Sequence, residues 1–521
     1  MRSTFHLLET AKRSLFTQQA ALNTTGHNIA NANTPGFSRQ VANTTESIPI
    51  EAFGINRSNA PGQLGTGVEV TSITRVREKF LDDQYRNENK AFGSWNIQSD
   101  TLEKLETIVN EPSDTGLRTV LDNFWKSWSD LSKDPENVAG RKIVRENAIA
   151  LADAFHFTSD KLKDLQSDLT NNIELKSKEI NSVSSSIANL NLEIKKIESL
   201  GDDANDLRDQ RDLLTDNLSK IVNVQVLDTP DGYTINMGNT NLVTGDTVNA
   251  TTSASLMSDY SSGNLNSGEV QGMIISRDKF VADYQTQLDT LANSIANGDI
   301  TITIPAGSVL PNNTVLNNIT YTGTARKLAS DLTVTVKGLN GLHKLGYTLD
   351  NPVQAAQDFF TAKAGFSNIT AESFQLNPVI DNDTSKIATS LRTDGIGAAE
   401  TVTKGNNTLA LLMSQLKDTK FNFDPTNSGA ILNSGTVDDF YRSIVGQLGV
   451  QAQEASRQLD NQKALVDQVE SRRQSVSGVS LDEEMSDMIK FQHSYSAAAR
   501  VMTTFDEMLD KVINGMGIVG R

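Results

Sequence analysis

The stretch SLDEEMSDMIKFQHSYSAAARVMTTFDEMLDKVINGM, residues 480–516, decides how this chain reads. Met488, Phe491, Tyr495, Ala498, Met502, Phe505, Leu509, Val512 and Met516 recur at intervals of three and four. That alternation keeps one stripe of a 3.6-residue helix on the same side, which is the seam of a coiled coil. Ser480 and Glu483 have the spacing of a capping box, and Asp482 and Glu484 place negative charge at the positive end of the helix dipole. The helix is therefore expected to start there, and a seam this apolar calls for a partner.

The other end of the chain carries a second stripe. Leu8, Leu15, Leu22 and Ile29 are each seven apart in a helical pattern over residues 5–31, with the weaker Ala11, Gln18 and Thr25 between them. Asn33-Thr34-Pro35-Gly36 should stop that helix, since Pro35 has no N–H and Gly36 accepts positive φ in a turn. The two ends thus read as seams that pair with each other and with neighbouring copies.

Between them, helices are expected from about Glu78 to Val109, from Leu117 to Leu131 and from Arg141 to Leu200. In the last, Ile180, Val183, Ile187, Leu190, Ile194 and Ile197 form a heptad seam. Gly201 should let a helix from Asp206 to Val222 fold back, and short connections between long helices imply an antiparallel bundle. Residues 67–73 alternate like a strand. Val224–Leu227 and Tyr233–Met237, either side of Pro230-Asp231-Gly232, read as a β-hairpin. A helix is expected from Asp278 to Asn297, then strands at Thr301–Ile304 and Leu332–Val336, then a short helix capped by Asn351 with Pro352 in its first turn.

The fold class is mostly α with β insertions, in an elongated multidomain arrangement. The expected domains are a discontinuous terminal coiled coil (1–40 with 478–521), a helical bundle with a β-hairpin (41–298 with 403–477), and an inserted outer α+β domain (299–402).

Composition narrows the chemistry. The 521 residues carry a formal charge of −17, which argues against sequence-independent nucleic-acid binding. No cysteine is present, so disulfides, thiolate nucleophiles and zinc–thiolate sites are excluded. No run of 18 apolar residues exists, and the first residues lack the continuous apolar stretch of a secretory signal. His6, His27, His156, His343 and His493 are scattered without HExxH or paired-ligand spacing, and no nucleophile elbow or P-loop occurs. Gly62, Gly65 and Gly67 precede a strand rather than a helix, so they present no helix N-terminus to phosphate. The acidic run Asp202, Asp203, Asp206, Asp209 and Asp212 invites a calcium reading, but it lacks the central glycine and closing glutamate of an EF-hand loop. A solvated helix start is the expectation there. Trp95, Trp125 and Trp128 are expected in helix cores. No catalytic, cofactor or metal residues are assigned.

Several stretches carry a resemblance. Residues 28–39, NIANANTPGFSR, resemble the motif near the start of flagellar rod, hook and hook-associated proteins, and residues 65–70, GTGVEV, the element that follows it. Residues 204–212 (ANDLRDQRD), 477–485 (SGVSLDEEM) and 491–502 (FQHSYSAAARVM) resemble the hook-associated protein 1 (FlgK) family, with Arg208 where leucine is more usual. The similarity covers roughly 1–298 and 403–521 and is thin over 299–400. It implies a structural protein of the bacterial flagellum at the hook–filament junction, needed for filament assembly and motility, and not an enzyme. It further implies unfolded type III export without cleavage and a ring of copies between hook protein and hook-associated protein 3. A cytoplasmic chaperone similar to FlgN is expected to hold the C-terminal helix before export. Another axial protein, such as one like hook-associated protein 3, or an adhesin-type surface module stays open as an alternative. An enzymatic insert is disfavoured, because residues 299–400 contain only His343 and no HExxH.

Overall fold

A computed structural model describes residues 5–49, 65–109, 116–395, 397, 400–423 and 430–515. Gly62 and Met516 lie outside them. The chain runs α1 (His6–Asn31), β1 (Gln40–Glu46), β2 (Val68–Arg75), α2 (Lys79–Val109), α3 (Leu117–Lys133), α4 (Val138–Glu198) and α5 (Asn205–Ile221). Next come β3 (Gln225–Thr229), β4 (Gly232–Met237), β5 (Thr240–Thr244), β6 (Thr247–Val248), α6 (Ser253–Ser262), α7 (Glu269–Ile275), a π-helix (Ser276–Val281) and α8 (Ala282–Asn297). Shorter elements follow: β7 (Asp299–Ile304), β8 (Thr314–Leu316), β9 (Ile319–Tyr321), β10 (Leu332–Lys337), α9 (Gly338–His343), β11 (Phe360–Ala362), β12 (Phe374–Leu376), α10 (Pro378–Asn382), β13 (Thr393–Asp394) and β14 (Thr401–Val402). The chain closes with α11 (Thr408–Gln415), β15 (Phe421–Asn422), β16 (Ser434–Gly435), α12 (Val437–Ser477) and α13 (Leu481–Gly515). The protein is mostly helical with small sheets inserted, as its periodicity demands.

Two compact units divide the chain. The first holds Met1–Asn96, Ile173–Gly272 and Leu459–Arg521, the second Ile97–Asn172 and Met273–Gln458.

In the first unit, α4 buries Ile173, Ile180, Ile187 and Ile194 at heptad spacing. The companion row is small and polar: Ser177, Ser184 and Asn191 are buried too. Asn191 shows what that polarity achieves. Its Nδ2 donates to the carbonyls of Tyr233 at 3.1 Å and Gly245 at 2.7 Å, and its Oδ1 accepts the Tyr233 N–H at 3.0 Å. The amide imitates a strand neighbour and pins the antiparallel sheet β3-β4-β5-β6 to the helix. Asn181 does the same to Thr251, through Nδ2 to its carbonyl at 2.8 Å and Oδ1 from its N–H at 2.7 Å. Antiparallel β1 and β2 pair from Gln40↔Arg75 to Glu46↔Val68, with a register shift between Asn43 and Thr44.

In the second unit, the core is aromatic. Phe124 and Trp128 of α3 and Phe155 of α4 are fully buried with Phe359, Phe360 and Phe374. Ring centroids lie 5.4 Å apart for Trp128–Phe359, 5.8 Å for Phe124–Phe360 and 5.1 Å for Phe155–Phe374. Residues 299–402 therefore share their core with α3 and α4. The sheet β10-β7-β15-β16 alternates Ile300, Ile302 and Ile304 inward with threonines outward. Trp125 and Trp128 are buried here, while Trp95, in the first unit, is half-buried.

One local expectation is corrected. No helix follows Asn351-Pro352; Thr348 N–H bonds the Gln354 carbonyl at 3.0 Å, so the chain doubles back as a turn. The cap-then-proline device operates instead at α10, where Asn377 accepts the Val379 N–H at 3.0 Å and Pro378 opens the helix. Tertiary pairing decided between two identical dipeptides.

Candidate functional site

α1 ends where the motif predicts a stop. Thr34 N–H reaches the Asn31 carbonyl at 2.9 Å, Phe37 N–H reaches the Thr34 carbonyl at 3.2 Å, and Asn33 and Pro35 are exposed. Gly36 sits at φ +80°, a left-handed conformation, and a Cβ on it would stand 3.0 Å from Leu213 Cβ. The turn returns the chain onto α5, where the next residues are fastened one by one.

Asn28 is the first fastener. Its Oδ1 accepts the Gln40 N–H at 3.0 Å, and its Nδ2 donates to the Gln40 carbonyl at 2.9 Å and to Glu484 Oε2 at 3.1 Å. One buried amide thus joins the end of α1, the start of β1 and the first turn of α13. Arg39 repeats the link: its N–H reaches the Ser477 carbonyl at 2.8 Å and its Nη1 lies 2.9 Å from Glu483 Oε2. Glu483 therefore has an ion pair besides its place at the helix start, where Ser480 Oγ accepts the Glu483 N–H at 3.4 Å.

The acidic face of α5 supplies the rest; the helix start is solvated at Asp202, Asp203 and Asp206 as expected, but the expectation fails one turn further on. Asp209 and Asp212 are not solvated; they are 5% and 1% exposed. Asp206 accepts from Gln40 Nε2 at 2.7 Å and faces His27 Nε2 at 3.2 Å. Asp209 Oδ2 accepts the Ser38 N–H at 2.9 Å. Arg75 Nη1 lies 2.7 Å from Asp209 and 2.9 Å from Asp212. Arg77 grips Asp82 through two bonds of 2.7 and 2.9 Å. Arg86 Nε lies 2.8 Å from Asp216, and Arg473 of α12 pairs with the same carboxylate. Arg75, Arg77, Arg86 and Arg473 thus interlock with Asp82 of α2 and with Asp209, Asp212 and Asp216 of α5. Asp206, Asp209, Asp212 and Asp216 are spaced by three or four, so a single helix face presents them all.

The electrostatics follow from burial and partners. Burial opposes the charged form of Asp212, but Arg77, Arg75 and Arg86 outweigh it and hold the carboxyl far below its usual range. Burial raises the Asp209 carboxyl in spite of Arg75 and the Ser38 N–H. Burial, then Asp212, pushes the Tyr233 hydroxyl up to about 12; that hydroxyl donates to Asp212 Oδ1 at 2.6 Å. Arg211 stacks its guanidinium 3.4 Å from the Tyr233 ring centroid. A buried pair of this kind is costly to break, on the order of 3–5 kcal/mol when one partner is removed. The arrangement is a mechanical clasp. Among the described residues no group of histidine, aspartate and glutamate side chains could hold a metal ion.

Above the clasp, α1 packs along α13. Leu8, Leu15, Leu22 and Ile29 are half-buried; the fully buried positions of α1 are Ala11, Thr17, Ala21, Thr24, Thr25 and Asn28. On α13, Met488, Phe491, Met502, Phe505 and Leu509 are half-buried, and Tyr495 and Val512 are 38% and 54% exposed. Only Glu484 and Ala498 of this 35-residue helix are buried. Sequence reasoning named the stripes and the turn but missed the clasp. The signal available was the regular aspartate spacing on α5 beside Arg75, Arg77 and Arg86.

Comparisons with known proteins give the chain its relatives. Residues 102–298 match the family described as the helical domain of flagellar hook-associated protein FlgK. Residues 8–37 match the flagella basal body rod protein family, and residues 470–515 the C-terminal family of flagellar basal body rod FlgEFG proteins. Flagellar hook-associated protein 1 of Bacillus subtilis (strain 168) is 34% identical, with 100% of both chains covered. The protein of that name from Escherichia coli (strain K12) is 26% identical over 98% of this chain and 99% of its own. The solved structure of the flagellar hook junction protein FlgK from Burkholderia pseudomallei matches with a TM-score of 0.49 at 15% identity, covering 76% of this chain and 100% of that one. With a full-length relative at that identity and the helical domain matched, the chain belongs to the flagellar hook-associated protein 1 (FlgK) family of structural flagellar proteins.

Proposed function

We propose that this chain carries out its family's role at the hook–filament junction by offering α1 and α13 to neighbouring copies. The observation that carries this reading is the exposure of α13. A helix of 35 residues that buries two of them in its own chain leaves Met485, Ile489, Tyr495, Val501, Met508, Val512 and Ile513 in water. So much exposed apolar surface on one helix is an association site. The half-buried stripe Met488, Phe491, Met502, Phe505 and Leu509 and the stripe Leu8, Leu15, Leu22 and Ile29 complete the contact in a ring of copies.

On this reading residues 1–40 and 478–521 are the assembly segments, and residues 299–402 form the outward-facing part. The ring stands between hook protein and hook-associated protein 3, outside the cell, after export of the unfolded chain through the flagellar type III apparatus. A chaperone similar to FlgN covers α13 in the cytoplasm, where its apolar surface would otherwise aggregate. The clasp anchors the end of α1 and the start of α13 to β1 and α5 within the first unit.

The test replaces Met502 and Leu509 by aspartate. The fold of residues 80–480 should persist by circular dichroism and limited proteolysis, while hooks form without filaments and flagellin leaks into the medium. Normal filaments in that strain would refute the reading.

A further inference from the structure

β3 is the outer strand of its sheet, and the order β3-β4-β5-β6 leaves its second edge without a strand partner, with Val226 8% exposed at the floor of a crevice there. Thr229 and Gly232 close a two-residue turn, so Thr229, Leu227 and Gln225 exchange bonds with β4 and the backbone groups of Val226 face away from it. Outside the sheet, no backbone group of residues 225–229 has a hydrogen-bond partner among the described residues. Along this side runs a crevice of about 500 Å3, lined by residues 225–227 on one wall and by one face of α2 on the other. No residue of β4 lines it.

The α2 wall carries Lys79, Asp83, Arg86 and Lys90. Arg86 is committed to Asp212 and Asp216. Lys79 and Lys90 have no ion pair among the described residues, and only Asp83 opposes them on this wall. On a chain of net charge −17 this is a locally cationic groove. Eleven helical residues separate the two lysines by about 16 Å along α2. A five-residue strand, the length of β3, spans about 13 Å between its first and last Cα atoms, a difference that flexible lysine and glutamate side chains cover.

We propose that this crevice receives an extended acidic segment of a partner protein, added as a strand to the open side of β3 with carboxylates meeting Lys79 and Lys90. Backbone pairing supplies the grip, and two acidic side chains four residues apart, on one face of the incoming strand, supply selectivity. The proposal is independent of where the chain stands in the flagellum.

The test uses the full chain and a fluorescein-labelled peptide, Ser-Glu-Thr-Val-Thr-Glu-Ser, followed by fluorescence anisotropy. Saturable binding is expected, at least tenfold weaker for the double variant K79E/K90E and absent for a peptide with lysine in place of both glutamates. A peptide of the same charge, N-methylated at successive backbone nitrogens so that neither of its edges can pair as a strand, should also bind at least tenfold more weakly. V226P removes the outward N–H from a strand edge that tolerates proline, and should weaken binding while leaving the far-ultraviolet spectrum intact. Where V226P does unfold, the N-methylated peptide on the native chain decides. Equal binding of the N-methylated and parent peptides would overturn the proposal in favour of charge attraction alone. Unchanged binding by K79E/K90E would also overturn it. So would sedimentation showing that K79E/K90E converts a dimer of the chain to monomer, since the crevice would then serve a second copy.

Discussion

Replacing Asp212 by asparagine tests the clasp at its centre. The side chain keeps its size and can still accept from Tyr233 Oη, now 2.6 Å from Oδ1, but it loses its charge. Arg75 at 2.9 Å, Arg86 at 3.4 Å and Arg77 at 3.5 Å each lose an anion, and the four arginines of the clasp are left with three aspartates. Removing one partner of a buried ion pair costs about 3–5 kcal/mol, because the remaining charge stays out of water uncompensated. Urea unfolding at pH 7 should show a loss of that order. Hydrogen exchange should localise it: peptides from residues 27–49, 68–90 and 205–221 lose protection, while residues 117–133 of the second unit do not. The pH dependence has a defined sign. The arginines hold the folded Asp212 below its unfolded pKa, so its contribution is present above about pH 4 and is lost as pH falls through the folded value. D212N lacks that contribution at neutral pH and should therefore lose less stability on acidification than the native chain. A loss under about 1 kcal/mol, or exchange that rises equally in both units, would refute the assignment of Asp212 as the centre of a buried network.

Two further outcomes follow from single positions. Gly36→Ala places a Cβ at positive φ and 3.0 Å from Leu213 Cβ, and should cost about 1–2 kcal/mol with exchange rising at residues 33–40; an unchanged urea midpoint would contradict the strain argument. His343 is fully buried, with Nδ1 2.6 Å from the Gln357 carbonyl and Nε2 accepting the Ala388 N–H at 3.0 Å, so the neutral ring is built into the fold. Burial pushes its pKa down to about 4. The unfolded chain takes up this proton near pH 6.5, so stability of the second unit should be full above that value and fall by about 3 kcal/mol towards pH 4. H343Q, which cannot titrate, should flatten that window in pH-dependent unfolding, and an unaltered slope would exclude His343 as its source.

The histidine and the aspartates show where reading a sequence stops. His343 was legible as a lone histidine unfit for catalysis, because metal and catalytic sites need partners at set spacing. Its role as a pin between residues 357 and 388 was not. Asp209 and Asp212 were legible as an acidic helix start, and charge alone argues for solvent. Their arginine partners lie 126 positions away for Asp212–Arg86 and 134 for Asp209–Arg75, and no local pattern reports such a distance. The same holds for Asn28, whose motif identifies a family but whose bracket on Gln40 and Glu484 appears only in three dimensions.

The sequence alone determined the long helices, the stop after α1, the hairpin and the absence of cysteine chemistry. Those depend on periodicity, proline, glycine and composition, which act over a few residues. The tertiary structure decided which of two Asn-Pro dipeptides caps a helix, which aspartates are buried, and that residues 299–402 share an aromatic core with α3 and α4. These depend on which distant groups exclude water from one another, and burial, unlike a helical period, is a property of the whole folded chain.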